Sequence, residues 1–210
     1  YTGDHYGNII WMKQASNANY NHQYYFNDAE KSNRNFYVKA DYRLNESTNL
    51  MLDIQNKRIL YSFDGFNDNG EIVKQDVALD FTNPKAGIFH KLNNYQSLYA
   101  SYSIGNKEPN RNDYVESSPN SRPQHETLHD LELGYKLAKK NTILSINLYN
   151  MMYDNQLVLT GQINDVGAYT RTNVDKSFRR GIEIEGKQKL FDKLHIQANL
   201  TLSQNIINEY

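Results

Sequence analysis

Two neighbouring runs decide the fold: Leu131-Glu132-Leu133-Gly134-Tyr135-Lys136-Leu137 and Leu144-Ser145-Ile146-Asn147-Leu148, joined through the polar turn Lys139-Lys140-Asn141. In both, apolar residues fall on every second position. Side chains of a strand point alternately to its two faces, so each run presents one greasy face and one polar face. The turn is too short for anything but an antiparallel hairpin. The same period extends outward along the chain. Phe36, Val38, Ala40, Tyr42 and Leu44 share one parity, as do Leu50, Leu52 and Ile54; Leu98, Ala100, Tyr102 and Ile104; Ile182 and Ile184; and Leu194, Ile196, Ala198, Leu200 and Leu202. A weaker segment runs from Pro84 to Lys91. This reading yields eight strands and no segment with a helical period of 3.6.

A soluble sandwich also alternates, with its polar face in water. These strands, however, reach ten or more residues, against about five or six in most globular sheets. About 9–11 tilted residues cross a hydrocarbon layer. The polar faces carry Asn, Ser, Gln, Lys, Glu and Asp, as the wall of a wet interior would. The links add a second signal. Short turns at residues 45–48, 93–94, 139–141 and 191–193 alternate with long connections over 63–81, 106–126 and 155–177. All short turns then lie on one rim of an up-and-down sheet and all long links on the other, the asymmetry of bacterial outer-membrane barrels. By the same count residues 1–34 form a further outer loop and both chain ends fall on the long-loop rim, so an internal piece of four hairpins is expected.

Composition narrows the functional classes. The 210 residues include 23 Lys and Arg against 24 Asp and Glu, a net charge of −1, so no overall basic field exists to hold nucleic acid. No run of eighteen apolar residues is present, which excludes a transmembrane helix. Seventeen Tyr argue against disorder. The absence of cysteine excludes disulfides, thiolate metal sites and a Cys nucleophile. Neither a nucleophile elbow nor a phosphate loop occurs, so no catalytic, cofactor-binding or metal residue is assigned.

An ordered set of short motifs resembles one family. Asn83-Pro84-Lys85-Ala86-Gly87 leading to Ser97-Leu98-Tyr99-Ala100-Ser101-Tyr102-Ser103-Ile104-Gly105, then Lys107-Glu108-Pro109, is similar to a hairpin of TonB-dependent outer-membrane receptors. Pro123, Glu126 and Leu131-Glu132-Leu133-Gly134-Tyr135-Lys136 resemble its next strand. Tyr153-Asp154-Asn155-Gln156-Leu157, Asn173-Val174 and Arg180-Gly181-Ile182-Glu183 resemble the hairpin after that. Gly161-Gln162-Ile163-Asn164-Asp165-Val166-Gly167 is most like the Bacteroidetes type. The resemblance implies an all-β, antiparallel up-and-down transmembrane barrel segment, about eight strands of a 22-stranded barrel, without the plug domain that fills such barrels. It also implies a lipid bilayer around the wall, a scarce nutrient as cargo (a ferric-siderophore ahead of haem, cobalamin or glycan), and energy from TonB, ExbB and ExbD relayed through the plug. A structural or adhesin-like barrel and a soluble all-β binding module are the alternatives.

Candidate ligand contacts lie in or beside the long links. Trp11, Tyr24 and Tyr25, with Tyr20 and Phe26, either stack on a ligand or form an interfacial aromatic belt. Arg111, Arg122 and Arg171, with Arg179 and Arg180, either pair with a carboxylate-bearing chelate or line a solvated rim. His125-Glu126-Thr127-Leu128-His129 spells the zinc-protease pattern, which requires a helix to bring both His to one metal. Pro123 precedes it and strand alternation follows, and on a strand residues four apart lie about 13 Å apart. The six His residues are read as scattered polar surface rather than a haem or metal site.

Overall fold

The structure is a computed structural model that describes residues 2–11, 19, 21–67, 70–115, 122–163 and 169–208. Nine strands and one short helix follow in order: β1 (Thr2–Asn8), β2 (Gln23–Arg43), β3 (Thr48–Phe66), β4 (Gln75–Lys91), β5 (Gln96–Lys107), α1 (Arg111–Val115), β6 (Glu126–Lys139), β7 (Thr142–Ile163), β8 (Tyr169–Phe191) and β9 (Leu194–Ile207). The strands form a single sheet in sequence order, each antiparallel to the next.

Register assembles the alternating residues into one continuous greasy face. Val38 pairs with Ile54, Ala40 with Leu52 and Tyr42 with Leu50. Leu52 and Leu50 pair onward with Ala86 and Ile88 of β4. The stripe crosses β5 and β6 through Ala100–Leu133 and Leu98–Tyr135. It continues through Leu148–Ile182 and Ile146–Ile184 to Leu202 and Leu200 of β9. Large apolar side chains on this face stay exposed, among them Val38, Leu52, Leu133, Leu148 and Leu202. A sandwich would bury them against a second sheet; a barrel wall turns them to lipid, with each ladder satisfying the backbone inside the bilayer.

The strand count exceeds the expected eight, because residues 1–34 are not simply a loop. They hold β1 and the first half of β2, and Thr2 pairs with Glu30 part-way down β2 rather than lying at the long-link rim. The strands also run on through much of the other expected loops: β3 to Phe66, β4 from Gln75, β7 to Ile163 and β8 from Tyr169. The physical reason is visible in β2, where Asn27-Asp28-Ala29-Glu30-Lys31-Ser32-Asn33-Arg34 is polar on both faces. Above the hydrocarbon no greasy face is demanded, so backbone pairing continues without the period that reveals it. The weak segment before Lys91 belongs to the 17-residue β4.

The short turns match their expected positions. In the first, Ser47 N–H donates to Asn45 Oδ1 at 2.9 Å. In the second, Tyr95 and Gln96 N–H groups donate to Asn93 Oδ1 at 2.9 and 3.0 Å. An Asn side chain accepting from backbone two residues on is the usual Asx closure of a tight turn.

Candidate functional site

The only substantial core among the described residues lies on the opposite, mainly polar face. Ala29, Ile59, Tyr61, Phe63 and Phe81 meet there beneath Tyr114 of α1. The link between β5 and β6 therefore folds inward across the sheet. Pro109 and Asn110 start its single helical turn, and Asp113 Oδ2 accepts the Asn110 N–H at 2.7 Å, half of a capping box. Tyr114 packs edge-on against Tyr61 and at a tilt against Phe63, with ring centroids 6.2 and 5.9 Å away. Burial, with the Glu108 and Asp113 carboxylates, pushes its hydroxyl pKa up to about 12.

Polar contacts tie this segment to distant strands. Glu108 accepts from Lys31 at 2.9 Å and from Lys57 at 3.4 Å. Arg111 Nη2 donates to the carbonyl of Asn27 at 2.8 Å and to the Asn27 side chain. Gln75 Nε2 donates to the Tyr114 carbonyl at 2.9 Å. From the far side, Arg171 of β8 donates to Asp113 Oδ1 at 3.1 Å. Asn173, also of β8, accepts from Gln124 N–H at 2.8 Å and donates to its carbonyl at 3.0 Å. One segment thus spans from β2, β3 and β4 to β8, which identifies this face as the concave one. Lower on it, a groove of about 450 Å³ is lined by Tyr99, Lys136, Asn147, Glu183 and Glu185 among others.

The candidate residues divide into separate groups. Arg111 and Arg171 come together through α1, where both hold protein acceptors. Trp11, Tyr24 and Tyr25 cluster by backbone at the β1–β2 end. Trp11 is 73% exposed, Tyr24 meets His22 edge-on at 5.6 Å, and Tyr25 lies over Gly7. Arg122 stands exposed on the segment entering β6. Tyr20 and the His5 side chain lie outside the described residues. Sequence reasoning missed Asn27, Lys31, Lys57, Gln75, Glu108, Asp113 and Tyr114; the Asn110–Asp113 spacing was the one local signal for the turn that brings them together.

The described His side chains do not converge. Glu126 and His129 sit on β6, with no helix to bring His125 and His129 to one metal. Glu126 accepts from Lys107 at 2.9 Å, His125 packs on Phe81, and His129 bonds to the Tyr102 hydroxyl at 2.7 Å. His90 bonds to Thr48 beside a short turn. Among the described residues no three His, Asp or Glu form a metal-holding group.

Comparison with known proteins decides the family. The family model described as TonB dependent receptor-like, beta-barrel, matches residues 1–209. The chain belongs to the TonB-dependent receptor β-barrel family. Its wall therefore sits in the outer membrane of a Gram-negative bacterium, with the greasy face against lipid. Solved structures share the fold at low identity. The copper transporter OprC superposes with a TM-score of 0.72 at 13% identity, over 88% of this chain and 30% of that one. The siderophore receptor PiuA from Acinetobacter baumannii gives 0.67 at 17% identity, over 89% and 27%. The alcaligin receptor FauA from Bordetella pertussis gives 0.61 at 18% identity, over 87% and 32%. The chain thus spans about a third or less of each of these receptors. A search among curated proteins finds no sequence match.

Proposed function

We propose that this chain forms part of the wall and outer rim of a receptor that binds and actively imports a scarce nutrient, a ferric-siderophore. The observation that carries this reading is the inward-folded β5–β6 segment. It carries Arg111 and gathers Lys31, Lys57 and Arg171 of β2, β3 and β8 around its Glu108 and Asp113 on the concave side near the long-link end. A passage narrowed there by a built, cation-bearing segment suits an anionic chelate, because guanidinium and ammonium groups pair with carboxylate and catecholate oxygens. Trp11, Tyr24 and Arg122 are the exposed contacts offered to cargo at the rim, with half-buried Tyr25 beside them. Of the related folds, PiuA is named for a siderophore, FauA for alcaligin and OprC for copper.

In this reading the long links lie outside the cell and the short turns face the periplasm. A plug domain from elsewhere in the protein fills the concave side, where Glu183 and Glu185 line the lower groove. TonB, energised by ExbB and ExbD, acts on that plug. The wall carries out binding and gating without covalent chemistry.

The test is uptake of radiolabelled cargo by cells whose only such receptor is the full-length protein. Ferric citrate, a ferric hydroxamate, a ferric catecholate, haem and cobalamin are compared with and without TonB. TonB-dependent accumulation of one ferric chelate supports the proposal. Uptake of haem or cobalamin alone replaces the cargo, and no TonB-dependent uptake of any of them defeats the transport reading in favour of a structural barrel.

A further inference from the structure

The outward face carries cations at one particular height. Arg34 of β2 and Arg58 of β3 are directly paired in the register, on the same face as Phe36, Val38, Ala40 and Tyr42. Like charges directly opposite on adjacent strands repel, so the pair is unfavourable in isolation. Little in the protein relieves it. Arg58 Nε approaches Asp80 Oδ1 only to 3.9 Å, with both side chains more than half exposed (57% and 59%). Arg34 has no acceptor among the described residues and is exposed.

The height is informative. Arg34 stands about ten residues above Leu44 at one short turn, and Arg58 about ten above Thr48. Ten residues at ~3.4 Å, tilted by ~40°, climb ~26 Å, close to the ~25 Å apolar band of outer-membrane barrels. The row immediately below, Phe36–Asn56–Thr82, is where polar residues first enter the greasy stripe of β2–β4, and the row above keeps only Leu60 and Ala78 beside Ser32. The two guanidinium groups therefore emerge at the upper edge of the hydrocarbon. Arg180 of β8 repeats the placement about ten residues above the last short turn. It lies over the Phe178 ring at 4.8 Å and takes a neutral partner, donating to Gln204 at 2.6 and 3.0 Å. Carboxylates on the same face, Glu30 and Asp76, pair with Ser62 two rows higher and bound the cationic zone from above.

We infer that Arg34 and Arg58 form a docking site for the phosphate of a lipid headgroup in the leaflet on the long-link side. The acyl chains lie along Val38, Ile54 and Ala86 while the phosphate bridges the two guanidinium groups. The anion removes the cross-strand repulsion and supplies acceptors to the exposed donors. Asp80 is a competitor at the edge of the site. The inference depends on the greasy face meeting lipid and is independent of the cargo.

The test uses the full-length receptor in phosphatidylcholine nanodiscs doped with diphosphorylated lipid A or with its dephosphorylated form. Lipid retained per barrel after detergent washing is counted by mass spectrometry. The wild type is expected to enrich the phosphorylated form about tenfold or more, and R34Q/R58Q to lose most of that enrichment, in line with the attraction of each basic residue to an anionic surface. R34K/R58K keeps most of it, and K39Q, on the concave face, leaves it unchanged. Equal retention of the two lipids by the wild type overturns the inference, as does unchanged enrichment in R34Q/R58Q. If R34Q/R58Q does not fold, judged by heat-modifiable migration, the wild-type comparison alone decides. Displacement of the lipid by a few millimolar inorganic phosphate would assign the pair to a free anion and overturn the lipid assignment.

Discussion

Tyr99 of β5 and Gly134 of β6 face each other directly across the ladder, and the phenol ring lies flat over the glycine. A Cβ on Gly134 would collide with Tyr99 Cε1. The ring reaches onward so that its hydroxyl donates to Asn147 Oδ1 of β7 at 2.8 Å, linking three strands on the concave face. Tyr149 and Gly181 repeat the pairing between β7 and β8. Aromatic cover over a glycine restores the packing that the missing side chain forfeits and helps to pin register.

Gly134→Ala should therefore destabilise the full-length barrel by about 1–3 kcal/mol, the usual cost of overpacking. The ring must leave its place, breaking the bond to Asn147. Gly186→Ala is the internal control, since nothing lies within 4 Å of a Cβ there. Urea midpoints of the refolded receptor in lipid measure both. Equal midpoints for the two variants would show that the ring moves aside freely.

The two faces should respond oppositely to one cation. Ile146 and Leu133 stand near the middle of the greasy stripe, and Ile146→Arg or Leu133→Arg should cost about 2–4 kcal/mol in a bilayer. Ser145 is the chain neighbour of Ile146 but points to the wet side beside Lys136 and Glu185. Ser145→Arg should cost under about 1 kcal/mol, because water and nearby Glu185 solvate it. Folding titrations in vesicles of defined thickness give both values. A cost near zero for Ile146→Arg would reverse the assigned faces.

The inward segment should come loose when its far anchor is cut. Asp113 is nearly buried, at 6% side-chain exposure, and Arg171 is the cation that reaches it across the concave face. Arg171→Gln leaves that carboxylate without its ion pair, at a cost of about 1–3 kcal/mol to the attached state. Amide exchange over residues 108–115 should accelerate, with the sheet itself unchanged. Asp113→Asn should also loosen the segment, since Arg171 and the Asn110 N–H bond different carboxylate oxygens and an amide keeps only one of them. Unchanged exchange in Arg171→Gln would mean that the Tyr114 core alone holds the segment.

What could be read in advance follows from where water ends. Between the short turns and about the height of Phe36 and Ile54, hydrocarbon on one side and water on the other force a two-residue period, and strand positions and faces were legible there. Above that height both faces meet water. Asn27 to Arg34 and Tyr169 to Lys176 pair as strands without an alternating apolar face, so they read as loop. The candidate site was less legible still. Arg111 and Arg171 stand out as isolated cations in the chain, but their meeting point, Asp113, lies 58 positions from Arg171, and no local pattern encodes that approach. Tyr114 resembles any other Tyr of a Tyr-rich chain until the fold places Tyr61 and Phe63 beneath it.

Tyr114 also makes the segment's attachment sensitive to alkali. In the attached state its hydroxyl pKa is about 12; once the segment is released into water it returns to about 10. At neutral pH the group is protonated in both states and contributes no pH dependence. As pH rises above about 10 the released state loses its proton first, so it binds fewer protons than the attached state and attachment weakens with each pH step. The weakening ends near pH 12, where both states are ionised. Amide exchange over residues 108–115 of the full-length receptor should therefore rise between pH 10 and 12 beyond its ordinary base-catalysed increase, and Tyr114→Phe should abolish the excess. Tyrosinate absorbance should show one late-titrating group that the same variant removes. An identical alkaline profile in Tyr114→Phe would place the sensitivity on other groups.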